Sequence, residues 1–279
     1  MDNAIVSICL GIIVMLTLVA LGLMTALSVS PHGQMYMLGA FVTWWAVVKA
    51  GMPYALALPV ALACGAVLGA AMQRVMLRAT FEQNLVSIMI MTLGFGYIIH
   101  GAAALVFGST GQILDTALSR QEITLGELWI TGQDAAIVVA TIAVFLGLRW
   151  LLDGTRVGRL VRMVAEDPKL AQLSGVNVRL VYHGVFAFEG AAVAFAAGMV
   201  APRTPILTSM GFDEVIMTFV VVVFGGIGSV RGSYLAGVAL GLFTALFGAL
   251  VSPAYTTAAA FLALIALLVL RPGGLGAGA

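Results

Sequence analysis

The chain is predicted to fold as an all-α polytopic membrane protein of about eight or nine transmembrane helices, with broken or re-entrant segments among them. Its composition gives the first indication: of 279 residues, 62% are hydrophobic and 9% charged, unlike any soluble domain. Apolar runs of roughly 20 residues, the length that crosses a hydrocarbon core of about 30 Å, then recur along the chain with few polar stretches between them. The basic residues are also sorted. Arg74, Arg78, Arg149, Arg156, Arg159, Arg162, Lys169, Arg179, Arg231 and Arg271 fall on one side of alternating spans, which the positive-inside rule makes cytoplasmic, whereas Lys49, Arg120 and Arg203 fall outside. A β-barrel would need alternating apolar and polar residues, and these runs are apolar all round.

Spans are expected near residues 5–28, 34–50, 54–76, 85–107, 135–152, 181–201, 213–229, 233–251 and 254–270. Nothing basic precedes Lys49, so the first span lacks the charged start of a secretory signal and is expected to stay; Asp2 suits an external N-terminus. The second span is short and interrupted. SPHGQMYMLGAF places Pro31, His32 and Gly33 in an apolar pattern, and short interrupted spans are where transporters hold solutes. His32 could bond a carboxylate or amide there, or merely cap a helix.

Gly65 and Gly69 in the third span, and Gly237 and Gly241 near the end, are small-xxx-small pairs expected to pack helices closely. Cys9 and Cys64 sit inside apolar spans and read as small buried hydrophobes rather than a disulfide. His100 in the fourth span and Glu189 near the middle of the sixth must face inward, because a carboxylate at the bilayer centre costs about 3 kcal/mol on insertion scales. An inter-helix hydrogen bond would explain either. VFGGIGSVRG, with Gly225, Gly226, Gly228 and Ser229, either exposes backbone to a solute or simply ends one helix and turns into the next.

The longest external stretch, residues 108–134, contains EITLGELWITGQ, whose alternation predicts a small hairpin serving as a docking surface or a lid. The cytoplasmic loop, residues 153–180, lies in a polar island between Arg149 and Arg179 that carries six of the thirteen basic residues. From Gly158 to Gly175 it can form a short amphipathic helix: Leu160, Val161, Val164 and Ala165 make an apolar stripe flanked by Arg159, Arg162 and Glu166, and Asp167 with Pro168 breaks or restarts it. Such a stripe suits a loop lying on the bilayer or a surface that docks a protein.

Residue supply removes several functions. Neither lysine, Lys49 nor Lys169, stands in a GxxxxGK[ST] phosphate loop. His32, His100 and His183 with two isolated cysteines give no zinc spacing, so no metal and no cofactor is expected. A net charge of +1 offers no field for nucleic acid. Transport remains.

GRLVRMVAEDPKLAQLSGVNV resembles the cytoplasmic loop of the branched-chain amino acid permease family of ABC importers, which also includes urea and short-chain amide permeases. HGQMYMLGAF, MIMTLGFGYIIHGAAALVFG, VVFGGIGSVRGSYLAG and the terminal RPGGL match the same family, so the resemblance covers nearly the whole chain. It departs before the His-Gly pair, where the family carries an Asn-Phe-Ala-like run and this chain has Val29, Ser30 and Pro31.

The resemblance implies a single transmembrane permease domain over residues 1–279, not an enzyme, in a bacterial inner membrane; the charge distribution puts the N-terminus outside and the C-terminus in the cytoplasm. Its implied partners are a second homologous permease, two ATP-binding subunits, a periplasmic solute-binding protein and the lipid bilayer. Gly158, Arg159, Arg162, Glu166, Asp167, Pro168 and Gly175 would couple to the ATPase. His32, Gly33, Thr92, Gly94, Glu189, Gly225, Gly226, Gly228 and Ser229 would line the translocation path or gate. Branched-chain amino acids are the expected solute, with urea or short-chain amides as the alternative. A stand-alone secondary transporter or channel should instead show paired intramembrane charges or a filter. A non-transporting scaffold would not need interrupted helices.

Overall fold

A computed structural model describes residues 32–80, 85–108, 110–125, 128–225, 230–252 and 255–270. The expected first span, residues 5–28, and the glycines of the 226–229 segment lie outside the described residues. Ten helices and one hairpin are described: α1 (His32–Trp44) continuing as a π turn (Trp45–Lys49), α2 (Tyr54–Thr80), α3 (Leu85–Phe107), β1 (Glu122–Leu125), β2 (Leu128–Thr131), α4 (Gly132–Gly154), α5 (Arg156–Glu166), α6 (Pro168–Leu173), α7 (Val178–Val200), α8 (Met210–Gly225), α9 (Val230–Leu250) and α10 (Thr256–Leu270). Residues Tyr54–Val75 of α2, together with α4 and α7, are long and apolar enough to cross a bilayer. Large side chains such as Leu105, Val106, Leu250 and Val269 are more than two-thirds exposed, which suits a surface solvated by lipid rather than water.

α1 is the central helix. It is apolar on every side, and Met35, Met37, Ala40, Phe41 and Trp44 are all buried among α2, α3, α7 and α8. Phe41 stacks on Phe107 at the end of α3, with ring centroids 4.5 Å apart, and Trp44 meets the same ring edge-on. The π turn then unwinds the helix. Ala50 donates to Trp45 and Met52 to Ala46, and Gly51, at φ 66°, makes the reversal into α2 that a side chain would strain.

The α2–α7 contact is built from glycine. A β-carbon on Gly65 would run into the Gly190 carbonyl, one on Gly190 into the Gly65 carbonyl, and one on Gly69 into the Phe186 carbonyl. The expected packing role of Gly65 and Gly69 is therefore present, with α7 as their partner. Gly237 and Gly241 are buried on α9, which packs against α8 and α10 around Val220, Ala236, Leu240, Ala260 and Leu264.

The expected hairpin is present: β1 and β2 pair antiparallel with Glu122 opposite Thr131 and Leu125 opposite Leu128. It feeds directly into α4 through a capping box. Thr131 Oγ1 accepts from the Asp134 amide, and Asp134 accepts from the Thr131 amide. Ahead of it, the Arg120 guanidinium bonded to Asp115 (Nε to Oδ2, 3.0 Å) holds that exposed carboxyl below the usual carboxylate range.

Lys49, Arg120 and Arg203 gather at the hairpin end of the bundle: Lys49 sits over Trp44, and Arg203 pairs with Asp134 beside the hairpin. Arg149, Arg159 and Arg162 lie at the opposite end, at or beyond the last turns of α4. The charge asymmetry of the sequence thus maps onto two ends of one bundle.

Candidate functional site

Two regions hold the polar and helix-breaking residues singled out in the sequence. At the basic end, α4 turns into α5 at Thr155, whose side chain accepts from the Gly158 amide and donates to the Leu151 carbonyl. Gly158 is there for space, since a β-carbon would strike the Leu151 and Leu152 carbonyls. Arg162 reaches back to Asp153 (2.9 Å), and Arg149 approaches the same carboxylate (3.9 Å).

The predicted amphipathic segment is two helices rather than one. α5 ends at Glu166. Asp167 is extended, and its carboxylate accepts from the Lys169 and Leu170 amides, capping α6 with Pro168 in the first turn. Gly175 turns the chain out of α6 at φ 82°. The expected apolar stripe is narrower than it reads in sequence. Val164 is buried with Ala171 and Val178, tying α5, α6 and the start of α7 together, while Leu160 and Ala165 are exposed. Arg159, Arg162, Glu166 and Pro168 are exposed, and so are Val157, Met163, Leu170 and Leu173, the last at 84%. A compact two-helix unit keyed to the bundle therefore presents mixed charge and uncovered apolar side chains.

The second region lies inside the bundle. Gly39 of α1 meets Ala194 of α7, and Thr43 of α1 meets Gly198. The pairing advances in step, so Gly33 comes level with Phe188 and Glu189, the middle of α7. Gly33 also touches α8: a β-carbon on it would strike the Gly211 carbonyl, and one on Gly211 would lie 2.7 Å from the Gly33 carbonyl oxygen. The N-terminus of α8 is therefore deep in the bundle.

The segment leading to it descends from the hairpin end by successive anchors. Arg203 Nη1 donates to Asp134 (3.0 Å), Ile206 and Gln112 exchange backbone hydrogen bonds, and His100 Nδ1 donates to the Thr208 carbonyl (2.9 Å). His100 is thus hydrogen-bonded, not to another helix as considered for it, but to the segment that leads into α8, with Phe212 packed against its ring. This descent is a broken or re-entrant entry of the kind the sequence suggests around Pro31, but it lies after α7; the residues before His32 are outside the described residues.

Glu189 is 1% exposed and faces the bundle interior. Gly33 lies in the first described turn of α1, and His32 opens that helix. Thr92 and Gly94 belong to α3, where Gly94 faces open space. Gly225 is buried at the last described residue of α8; Gly226, Gly228 and Ser229 fall outside the described residues.

Sequence reading missed three buried polar residues here: Gln34 and Tyr36 of α1 and Glu214 of α8, at 2%, 1% and 9% exposure. A usable signal existed for Glu214, an acid at the head of the apolar run VIMTFVVVVFG. It also missed a buried latch at the hairpin end. Gln133 Nε2 donates to Tyr54 Oη (2.9 Å) and to the Met199 carbonyl (2.6 Å), while Tyr54 donates to the Gly198 carbonyl (2.9 Å), so α2, α4 and α7 are joined beside the Asp134–Arg203 pair. Among the described residues no group of three or more His, Cys, Asp or Glu side chains is arranged to hold a metal ion.

The family described as branched-chain amino acid transport system / permease component matches residues 3–270. The high-affinity branched-chain amino acid transport system permease protein LivH of Salmonella typhimurium is 30% identical over 258 residues, covering 88% of this chain and 83% of that protein. The corresponding permease protein BraD of Pseudomonas aeruginosa is 27% identical over 257 residues, covering 88% and 84%. A probable branched-chain amino acid transport permease protein, LivH, of Methanocaldococcus jannaschii is 25% identical over 253 residues, covering 87% and 80%. No solved structure matches the chain at a significant level.

Proposed function

Because the chain belongs to the family of branched-chain amino acid transport permease components, we propose that it carries branched-chain amino acids across the inner membrane as the membrane-spanning subunit of an ABC importer, with energy from separate ATPase subunits. The observation that carries the coupling part of this reading is the α5–α6 unit. Its helices are fixed to α4 and α7 by Gly158, the Asp153–Arg162 pair and the Val164–Ala171–Val178 cluster, yet its outer surface leaves Met163, Glu166, Leu170 and Leu173 uncovered. A rigidly attached, partly apolar knob transmits force from a partner better than a loose loop does.

In this reading residues 153–180 are cytoplasmic and dock an ATP-binding subunit, with Arg159, Arg162 and Glu166 at the contact. Gly158, Asp167, Pro168 and Gly175 shape the unit from within. Residues 108–134 are external and meet a solute-binding protein. The whole chain is one transmembrane domain that pairs with a second, homologous permease and rocks between outward and inward access. Solute passes along the region of His32, Gly33, Thr92, Gly94, Glu189, Gly225, Gly226, Gly228 and Ser229. The N-terminus is outside and the C-terminus cytoplasmic, which the segregation of Lys49, Arg120 and Arg203 from the other basic residues supports.

Glu166→Ala tests coupling without touching a cap, since the Glu166 side chain is exposed and the α6 cap is Asp167. In the complete importer this variant should keep its membrane abundance but lose uptake relative to ATP hydrolysed. Normal uptake per ATP in Glu166→Ala, and also in Leu173→Asp, would remove α5–α6 from the coupling path.

A further inference from the structure

The α1–α8 crossing brings together groups suited to one kind of solute. Gly211, Glu214 and Val215 are spaced i, i+3, i+4 along α8 and so share the face that meets Gly33, where a β-carbon would also touch Val215 Cγ2 at 2.7 Å. Tyr36 follows Gly33 by three residues on the facing side of α1. Its hydroxyl feels the Glu214 carboxyl electrostatically and has no hydrogen-bond partner among the described residues. Gln34 Oε1 lies 2.9 Å from the β-carbon position of Gly211, in the first turn of α8, and is also without a partner among the described residues. Buried polar groups are almost always paired, so two unpaired ones beside a helix N-terminus in mid-bundle mark a place where something polar is received.

We propose that this crossing is a subsite for the head group of a zwitterionic α-amino acid. The N-terminal turn of α8 and the Tyr36 hydroxyl receive the carboxylate, and Glu214 with the Gln34 Oε1 acceptor receives the ammonium. Helix N-termini favour anions through their free N–H groups and aligned peptide dipoles, and a membrane-buried carboxylate favours a cation. The Gly33–Gly211 contact closes the crossing in the present conformation; rocking of α1 against α8 opens it. Both poles are needed, so the site accepts amino acids and discriminates against urea, amides and sugars. This inference rests on the reading of the chain as an amino acid importer subunit.

The test uses the complete importer in proteoliposomes with radiolabelled leucine, and leucine binding to the importer without its solute-binding protein. Tyr36→Phe and Glu214→Gln should each lower uptake at saturating loaded binding protein by at least about tenfold, the size of one lost hydrogen bond to a charged group. ATP hydrolysis stimulated by the loaded binding protein should persist. In the binding assay, 4-methylpentanoate, which lacks the ammonium, and leucinamide, which lacks the carboxylate, should compete poorly against leucine on the wild type. Glu214→Gln should narrow the gap for 4-methylpentanoate alone, and Tyr36→Phe for leucinamide alone. Unchanged uptake, or wild-type discrimination in whichever of the two variants assembles, overturns the subsite; should Glu214→Gln fail to assemble, the isosteric Tyr36→Phe decides. A wild-type importer that takes up no leucine refutes the importer reading instead.

Discussion

Removing Arg203 tests how the hairpin end of the bundle is held. Asp134 is 1% exposed, and its Oδ2 accepts from the Thr131 amide (3.1 Å), the Thr131 hydroxyl (2.6 Å) and Arg203 Nη1 (3.0 Å). The Arg203 side chain is 21% exposed, so the pair is largely but not wholly dry. Arg203→Met keeps the packing of the stem but leaves a buried carboxylate with only the Thr131 donors. Breaking a buried pair from one side costs about 3–5 kcal/mol, and the partial exposure of Arg203 argues for the lower end, about 3 kcal/mol. Asp134→Asn should cost less, because the amide oxygen can still accept from Thr131. The double variant should lose less than the two singles together by at least about 1 kcal/mol, since neither charge is then stranded. Melting of the purified permease and its three variants in one detergent measures this cycle. Additive losses, within about 0.5 kcal/mol, would refute the idea that Asp134 and Arg203 stabilise each other.

Glycine contacts should separate cleanly by position. Gly190→Leu, aimed at the Gly65 carbonyl, should abolish membrane accumulation, whereas Gly147→Leu on α4, with open space around it, should accumulate normally; immunoblots of membrane fractions compare them. Tyr54→Phe removes a hydroxyl bonded to both Gln133 and the Gly198 carbonyl, and should cost about 1–3 kcal/mol in the same melting assay. Gly158→Val should displace α5 from the last turn of α4 and impair uptake more than it impairs accumulation, read by transport normalised to permease abundance. Asp167→Ala should melt α6 locally by stripping its cap, while Asp167→Ser restores most of the loss, which hydrogen exchange at Lys169 and Leu170 would report.

What could be read from sequence followed periodicity and punctuation. Spans were legible because an apolar run long enough for lipid has few alternatives, and the hairpin because EITL and LWIT alternate around Gly126. The break at Asp167–Pro168 was legible as punctuation, although only the geometry distinguishes a capped restart from a bent single helix. Depth was not legible. The last apolar run before VFGGIGS was expected from residue 213, yet α8 begins at Met210 inside the bundle, because the chain from Arg203 to Thr208 is drawn inward by Asp134, Gln112 and His100. These partners are far away in sequence, and a span pattern carries no record of them. Gln34 and Tyr36 stayed hidden for the same reason: each is an ordinary residue in an apolar stretch until Gly211 is placed beside them. Gly158 shows the converse: its steric task, letting α5 pass the Leu151 and Leu152 carbonyls, has no sign in the sequence.

As proposed, this chain moves an amino acid only when partners supply the energy. Proteoliposomes holding the permease with its homologous partner, its ATP-binding subunits and its solute-binding protein should accumulate leucine on addition of internal ATP. Omitting either the ATPase or the binding protein should abolish uptake at unchanged permease content. Leucine accumulation by the permease alone, driven by an ion gradient and indifferent to ATP, would contradict the account.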